Sequence, residues 1–385
     1  MADHILVLGA GASLGARDSL RWSSGQRPPL GDGLGAYLQH WVDANGSDDP
    51  TACSHRRNPF DAEAPGNRDW ADPEFRSGLL AFLAKSQAET FERATAELVD
   101  KYGEPGWGWI NFSKINRTLA FSMLTGRHCA FPEAPDGDLY DDLLDGLSTR
   151  YGQSQTVITF NYDILFEEAV ARRAGTTALL KAVHYPELRV DKGDRGTGLS
   201  VFKPHGSVNW LAVANYMAVG SNLQAVREQI KQPAGVSYHE GKPLGGESHQ
   251  EYVPPGGRKN VVLTLKQSTV TDRPVMALYG PGKPGPVNAP GLYGVRSGCL
   301  HAVQETPDAD VTIIGLRVPP VRGDDPVLDD LLPLLGQSRG RRLYVSPSVA
   351  DCARAESKYG LEPRQVSMSE YIREELGAGT GNGSP

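Results

Sequence analysis

Apolar and polar positions along the chain fall into two regimes. His4-Ile5-Leu6-Val7-Leu8 is a short apolar run that stops at glycines, the pattern of a strand buried on both faces and leading into a tight turn. No comparable run is predicted as a strand between about residues 30 and 154. That stretch instead holds a helical pattern near Leu34–Val42, a polar loop from Asn45 to about Trp70, and further helical patterns over Ile110–Leu124 and Leu139–Tyr151. Between them, Asp72-Pro73 reads as an N-cap followed by proline at the first helical position, opening a helix through about Tyr102.

From Thr156 onward the pattern alternates. Strand Val157–Phe160, helix Ile164–Ala174 and strand Leu199–Lys203 are followed by a helical or turn-rich stretch around Val208–Ile230. A Gly- and Pro-rich segment, Pro233–Lys259, leads to strand Asn260–Leu265, and Tyr279–Gly291 is a second such segment. Segments of this length are either functional lids or disordered. Strand Val311–Gly315, helix Val327–Leu335, strand Arg341–Val345 and helix Val349–Tyr359 complete the series, and Gly377–Pro385 reads as a flexible tail. Strands alternating with helices predict an α/β fold, a mostly parallel sheet covered on both faces. The expected division is residues 1–30 plus 155–365 as the sheet domain, with 31–154 as a helical insertion after the first strand.

Composition narrows the function classes. The chain has 385 residues, and 39 basic against 46 acidic side chains leave a formal net charge of −7. The charges are interspersed and form no basic stripe, which argues against direct nucleic-acid binding. Cys53, Cys129, Cys299 and Cys352 are far apart, so no CxxC half-site for zinc exists and scattered reduced thiols are expected. No stretch approaches the ~20 apolar residues of a membrane span, and residues 1–9 lack a basic segment leading into a long apolar one. The expectation is a cytoplasmic protein.

Three motifs carry candidate chemistry. In Gly9-Ala10-Gly11-Ala12-Ser13-Leu14-Gly15 the missing side chains permit a sharp turn and a close approach to a phosphate, whose charge the following helix N-terminus would meet; the same glycines also serve a plain tight turn. Asn161 and Asp163, in Thr159-Phe160-Asn161-Tyr162-Asp163, follow an apolar strand and sit where open α/β sheets bind ligands. The amide can bond ribose hydroxyls or hold a water and the carboxylate can accept from a carboxamide, while Asn-x-Asp is equally a helix-capping pattern. His205, in Lys203-Pro204-His205-Gly206-Ser207, also follows a strand; its imidazole can take a proton near neutral pH or serve structure alone.

Taken in order, Gly9–Ser13, Thr159–Asp163, Lys203-Pro204-His205-Gly206-Ser207-Val208-Asn209-Trp210 and Ile313-Ile314-Gly315 resemble the landmarks of the sirtuin (SIR2-like) superfamily, most closely its bacterial anti-phage defence branch. The resemblance covers most of residues 1–350. It implies a Rossmann-like NAD-binding sheet, with Asn161 and His205 as the pair that breaks the nicotinamide–ribose bond. Gly9, Ala10, Gly11, Ala12 and Ser13 would line the pyrophosphate, Asp163 the nicotinamide amide, and Ser207 and Gly315 the rest of the dinucleotide. Ile314-Gly315-Leu316-Arg317 stands where many branch members read Ile-Gly-Tyr-Ser, which puts Arg317 in place of a serine contact and beside a phosphate.

The four zinc cysteines of the superfamily's protein deacetylases have no counterpart here, so plain hydrolysis of NAD+, the substrate, is expected ahead of deacylation, with no zinc. The alternative of another class is a non-catalytic NAD-binding sensor or scaffold subunit. A NAD-linked dehydrogenase would need an acidic ribose residue about twenty residues after the glycines, at the end of a second strand, and none is placed there. The resemblance further implies a defence role through NAD+ depletion, gated by homo-oligomer formation or by a separately encoded HerA-type ATPase.

Overall fold

The structure is a computed structural model that describes residues 3–16, 33–39, 73–89, 91–100, 115, 119, 139–152, 155–176, 179–188, 195–213, 237–239, 273–276 and 292–377. Strand β1 (His4–Leu8) leads into α1 (Ala10–Ala16). Residues 34–39 are helical, and α2 (Pro73–Ala88), α3 (Phe91–Asp100) and α4 (Leu139–Tyr151) follow. Next come β2 (Gln155–Thr159), α5 (Leu165–Arg173), α6 (Leu179–Ala182), β3 (Val183–His184), β4 (Leu199–Phe202), β5 (Gly206–Val213), β6 (Ser237–His239) and β7 (Arg273–Met276). The chain then runs through α7 (Leu292–Gln304), β8 (Asp310–Ile314), α8 (Pro326–Gly336), β9 (Arg342–Val345), α9 (Val349–Tyr359), β10 (Glu362–Arg364) and α10 (Met368–Glu375).

Seven strands form one sheet in the order β10-β9-β8-β1-β2-β4-β3, and each neighbouring pair is parallel. All five residues of β1 are buried, because a central parallel strand is covered on both faces. β1 has β2 on one side and β8, which comes far later in the chain, on the other. In open α/β sheets ligands bind at the carboxyl edge beside such a reversal of direction in the strand order.

The helices close over the sheet by burying periodic apolar faces. Val327, Leu328, Leu331, Leu332 and Leu335 form that stripe on α8, which starts at an Asp325 cap with Pro326 next. Ser348 caps α9, Gly360 ends it at φ 64°, and a reciprocal Ser367–Glu370 capping box opens α10. Helix α4, which falls inside the expected insertion, packs on α5 and α10, with Tyr140 edge-on to Phe166 and Tyr151 stacked 4.0 Å from His4.

Most predicted elements occur within a residue or two of their expected bounds, and Leu139–Tyr151 and Val349–Tyr359 match throughout. The helix expected from Pro73 to about Tyr102 is two helices, bent at Glu89. The helical or turn-rich expectation at Val208 is wrong: residues 206–213 are a strand, the centre of a second, antiparallel sheet ordered β6-β5-β7. Ser207-Val208-Asn209-Trp210 alternates with period two, the strand signal, yet all four side chains are buried. Helix α7 was not anticipated, since Gly294 and Gly298 interrupt its apolar stripe of Leu292, Val295, Cys299 and Val303. The Asn45–Trp70 loop, residues 40–42 of the Leu34–Val42 helix, residues 214–230 of the Val208–Ile230 stretch, the Asn260–Leu265 strand, Tyr279–Gly291, residues 378–385 of the tail, all of Pro233–Lys259 except 237–239, and all of Ile110–Leu124 except the helical Ile115 and Leu119 lie outside the described residues.

Candidate functional site

The motifs after β1, β2, β4 and β8 come together because those strands are parallel neighbours and all end on the same edge of the sheet. At the end of β1, Gly9 N–H donates to the Ile314 carbonyl (3.0 Å), Gly11 N–H to the Gly315 carbonyl (2.9 Å) and Ala12 N–H to the Gly9 carbonyl (2.9 Å). A Cβ on Gly9 would lie 2.4 Å from Leu316 Cα, and one on Gly11 would lie 2.9 Å from Gly315 Cα. Gly315 has φ 63°, and a Cβ there would lie 2.2 Å from the Ala12 nitrogen. These glycines therefore let two backbone turns interlock, and the three N–H groups are used within the protein instead of facing a phosphate. Ala10 and Gly11 are half-buried, and Arg317, just beyond the interlock, is exposed.

Ser13, on α1, is the hub of a polar cluster. Its Oγ lies 2.9 Å from Tyr140 Oη, accepts from Asn161 Nδ2 at 2.8 Å and donates to Asp163 Oδ1 at 3.2 Å. Asp163 Oδ1 also accepts the Leu165 N–H at 3.1 Å, so the carboxylate orders the turn into α5 while facing Ser13. Asp163 thus orders a turn ahead of α5, whose N-cap position, Ile164, has no side-chain cap, while Asn161 bonds into the cluster. The Asn161 side chain is buried, and among the described residues its Oδ1 has no hydrogen-bond partner. A buried acceptor left unpaired costs about 1–3 kcal/mol, so an atom in that state at the ligand-binding edge suits a hydroxyl or water donor.

The turn that holds His205 begins at Lys203 and closes with Gly206 N–H donating to the Lys203 carbonyl at 2.8 Å, with Pro204 at its second position. Gly206 takes φ 85° as the chain swings into β5. His205 is buried, edge-on to Phe160 with ring centres 4.8 Å apart and roughly parallel to Tyr162 at 6.4 Å. Its Nε2 lies 2.9 Å from Asp325 Oδ2. Ser207, expected at the cofactor, is fully buried, with Oγ 2.5 Å from Asn209 Oδ1 and 3.3 Å from the Tyr162 carbonyl. Those contacts make Ser207 a tie between the two motif loops.

Beneath the loops lies a buried ion pair. Lys203 Nζ donates to Glu167 Oε1 and to the Asp163 carbonyl, both at 2.6 Å. Burial pushes the Glu167 carboxyl up, and the Lys203 ammonium partly offsets that. The pair fixes the Asn161–Asp163 loop against β4. Arg296, on α7, donates to the Pro204 carbonyl at 3.1 Å and steadies the His205 turn from the other side.

Sequence reasoning overlooked Tyr140, Glu167, Asp325 and Arg296. Only Asp325 carried a readable signal, the Asp-Pro step of a helix start, which points to a cap and not to a histidine partner. Among the described residues no group of three or more His, Cys, Asp or Glu could hold a metal ion, and no helix is long and apolar enough to cross a membrane. Cys299 and Cys352 are buried; Cys53 and Cys129 lie outside the described residues. No protein-family model matches the chain, and no curated protein matches it.

Proposed function

We propose that the protein hydrolyses NAD+ at the nicotinamide–ribose bond, giving nicotinamide and ADP-ribose. The observation that carries the reading is Asn161: a buried amide anchored to Ser13 through Nδ2, with Oδ1 unpaired among the described residues, just after the strand beside the one that leads to His205. The motif resemblance to SIR2-like proteins supplies the substrate class, and the reversal in strand order beside β1 is where open α/β sheets take a dinucleotide.

In this reading the C1′–nitrogen bond breaks with its electron pair going to nicotinamide, which leaves neutral, while ribose takes on oxocarbenium character. Asn161 Oδ1 holds a ribose hydroxyl or the attacking water, which fixes the geometry the reaction requires. The water adds at C1′, and its proton passes to His205 and then to solvent. Asp163 would meet the carboxamide and Arg317 a phosphate, as the motif resemblance implies. The interlocked Gly9–Ala12 turn shapes the pyrophosphate wall, with Ala10 and Gly11 the half-exposed part of it.

The wider proposal is a cytoplasmic defence protein that depletes NAD+ when assembled with copies of itself or a HerA-type ATPase. His205→Ala should lower nicotinamide release by about 10²–10⁴-fold, the range for a positioned acid–base group. Equal activity in a folded His205→Ala protein would refute the assignment. Tight NAD+ binding without turnover, unchanged by His205→Ala, would favour a sensor subunit instead.

A further inference from the structure

The carboxylate of Asp325 faces two ways. Its Oδ1 accepts the N–H groups of Val327 (3.1 Å) and Leu328 (3.3 Å), capping α8, while Oδ2 lies 2.9 Å from His205 Nε2. Both side chains are 7% exposed. A cap alone would be served by either oxygen at the surface, and desolvating a carboxylate is costly unless a partner compensates it. Two N–H donors at a helix N-terminus supply hydrogen bonds, and the imidazole, at ion-pair distance, supplies opposite charge when protonated.

We infer that Asp325 is a positioning residue for His205, holding its ring with Nε2 toward α8 and stabilising the ring in its protonated form during turnover. The inference rests on the proposed hydrolysis for its functional meaning, but its physical content does not. Other groups around His205 are already committed or offset. Lys203 pairs with Glu167, Arg296 donates to the Pro204 carbonyl, Asp163 bonds Ser13 and Leu165, and the Tyr162 and Phe160 rings flank the imidazole. Asp325 brings a carboxylate oxygen to 2.9 Å from the ring. Through Asp325 the start of α8 is also tied to β4, so the position of the helix and the orientation of the imidazole change together.

The deciding experiment is a side-chain NMR titration of His205 in the full chain, assigned by the signal missing from His205→Ala, in the wild type, Asp325→Asn and Asp325→Ser. Asparagine and serine are both good caps, so the start of α8 is retained while the charge is removed. The His205 titration midpoint should fall by about one pH unit or more in both variants, the usual effect of losing an adjacent opposite charge. The acid limb of the nicotinamide-release profile should move to lower pH by a similar amount. Midpoints unchanged in both variants would overturn the proposal and leave Asp325 as a helix cap only. Lower midpoints in both variants, with a wild type that releases no nicotinamide, would uphold the positioning role and refute the hydrolase reading.

Discussion

At the scale of single residues, the glycines show how one pattern serves two purposes. Gly9 and Gly11 mark a turn at which backbone can come close, and the partner that comes close is the Gly315 turn of the same chain. Sequence could signal the need for glycine but not its beneficiary, because 304 positions separate Gly11 from Gly315. A Gly11→Val substitution would thus disturb the interlock itself, so loss of NAD+ binding in that variant would not locate the pyrophosphate. Gly315→Ala should destabilise the protein by at least about 1–2 kcal/mol from its left-handed conformation alone, with the 2.2 Å approach to Ala12 adding to that. A urea unfolding midpoint equal to that of the wild type would contradict the interlock. Asn161 and His205 were readable because each directly follows an apolar strand. Tyr140 was not, since nothing in Leu139-Tyr140-Asp141 distinguishes a core tyrosine from one that bonds Ser13.

At the scale of elements, the Lys203–Glu167 pair joins strand to helix and holds the loop between them. Lys203→Met leaves a buried carboxylate without its cation and should cost about 3–5 kcal/mol. The double variant Lys203→Met/Glu167→Leu should recover most of that loss, because replacing both charges removes the desolvation burden. Chemical denaturation of the single and double variants checks this, and equal losses would show that Lys203 acts by packing alone. The parallel strands were readable since a strand covered on both faces is a continuous apolar run. β5 was not, because its alternating Ser207-Val208-Asn209-Trp210 begins at a turn and is buried on both faces. The two-residue β3 and three-residue β10 are too short for any periodicity to declare them.

At the scale of the whole molecule, the sheet separates two tasks. Its carboxyl edge gathers the candidate chemistry, while its amino edge carries His4, stacked on Tyr151 and 3.0 Å from Thr312 Oγ1. Burial lowers the His4 pKa to about 4, with Asp310 opposing and Arg150 assisting. An unfolded histidine takes a proton near pH 6.5 and the folded one does not, so stability is full above that pH and falls as pH drops from about 6.5 to 4. The loss should be about 2 kcal/mol by pH 5 and should be absent in His4→Phe, whose ring can keep the stacking; denaturant unfolding at the two pH values checks it. The claim that most needs testing concerns the other edge. Nicotinamide release from NAD+ should be followed over a hundredfold range of protein concentration for the wild type and Asn161→Ala. Wild-type turnover should rise steeply with concentration, and the Asn161→Ala rate should be at least about 10²-fold lower. No release by the wild type at any concentration, with or without a HerA-type partner, or an equal rate in the folded variant, would contradict it.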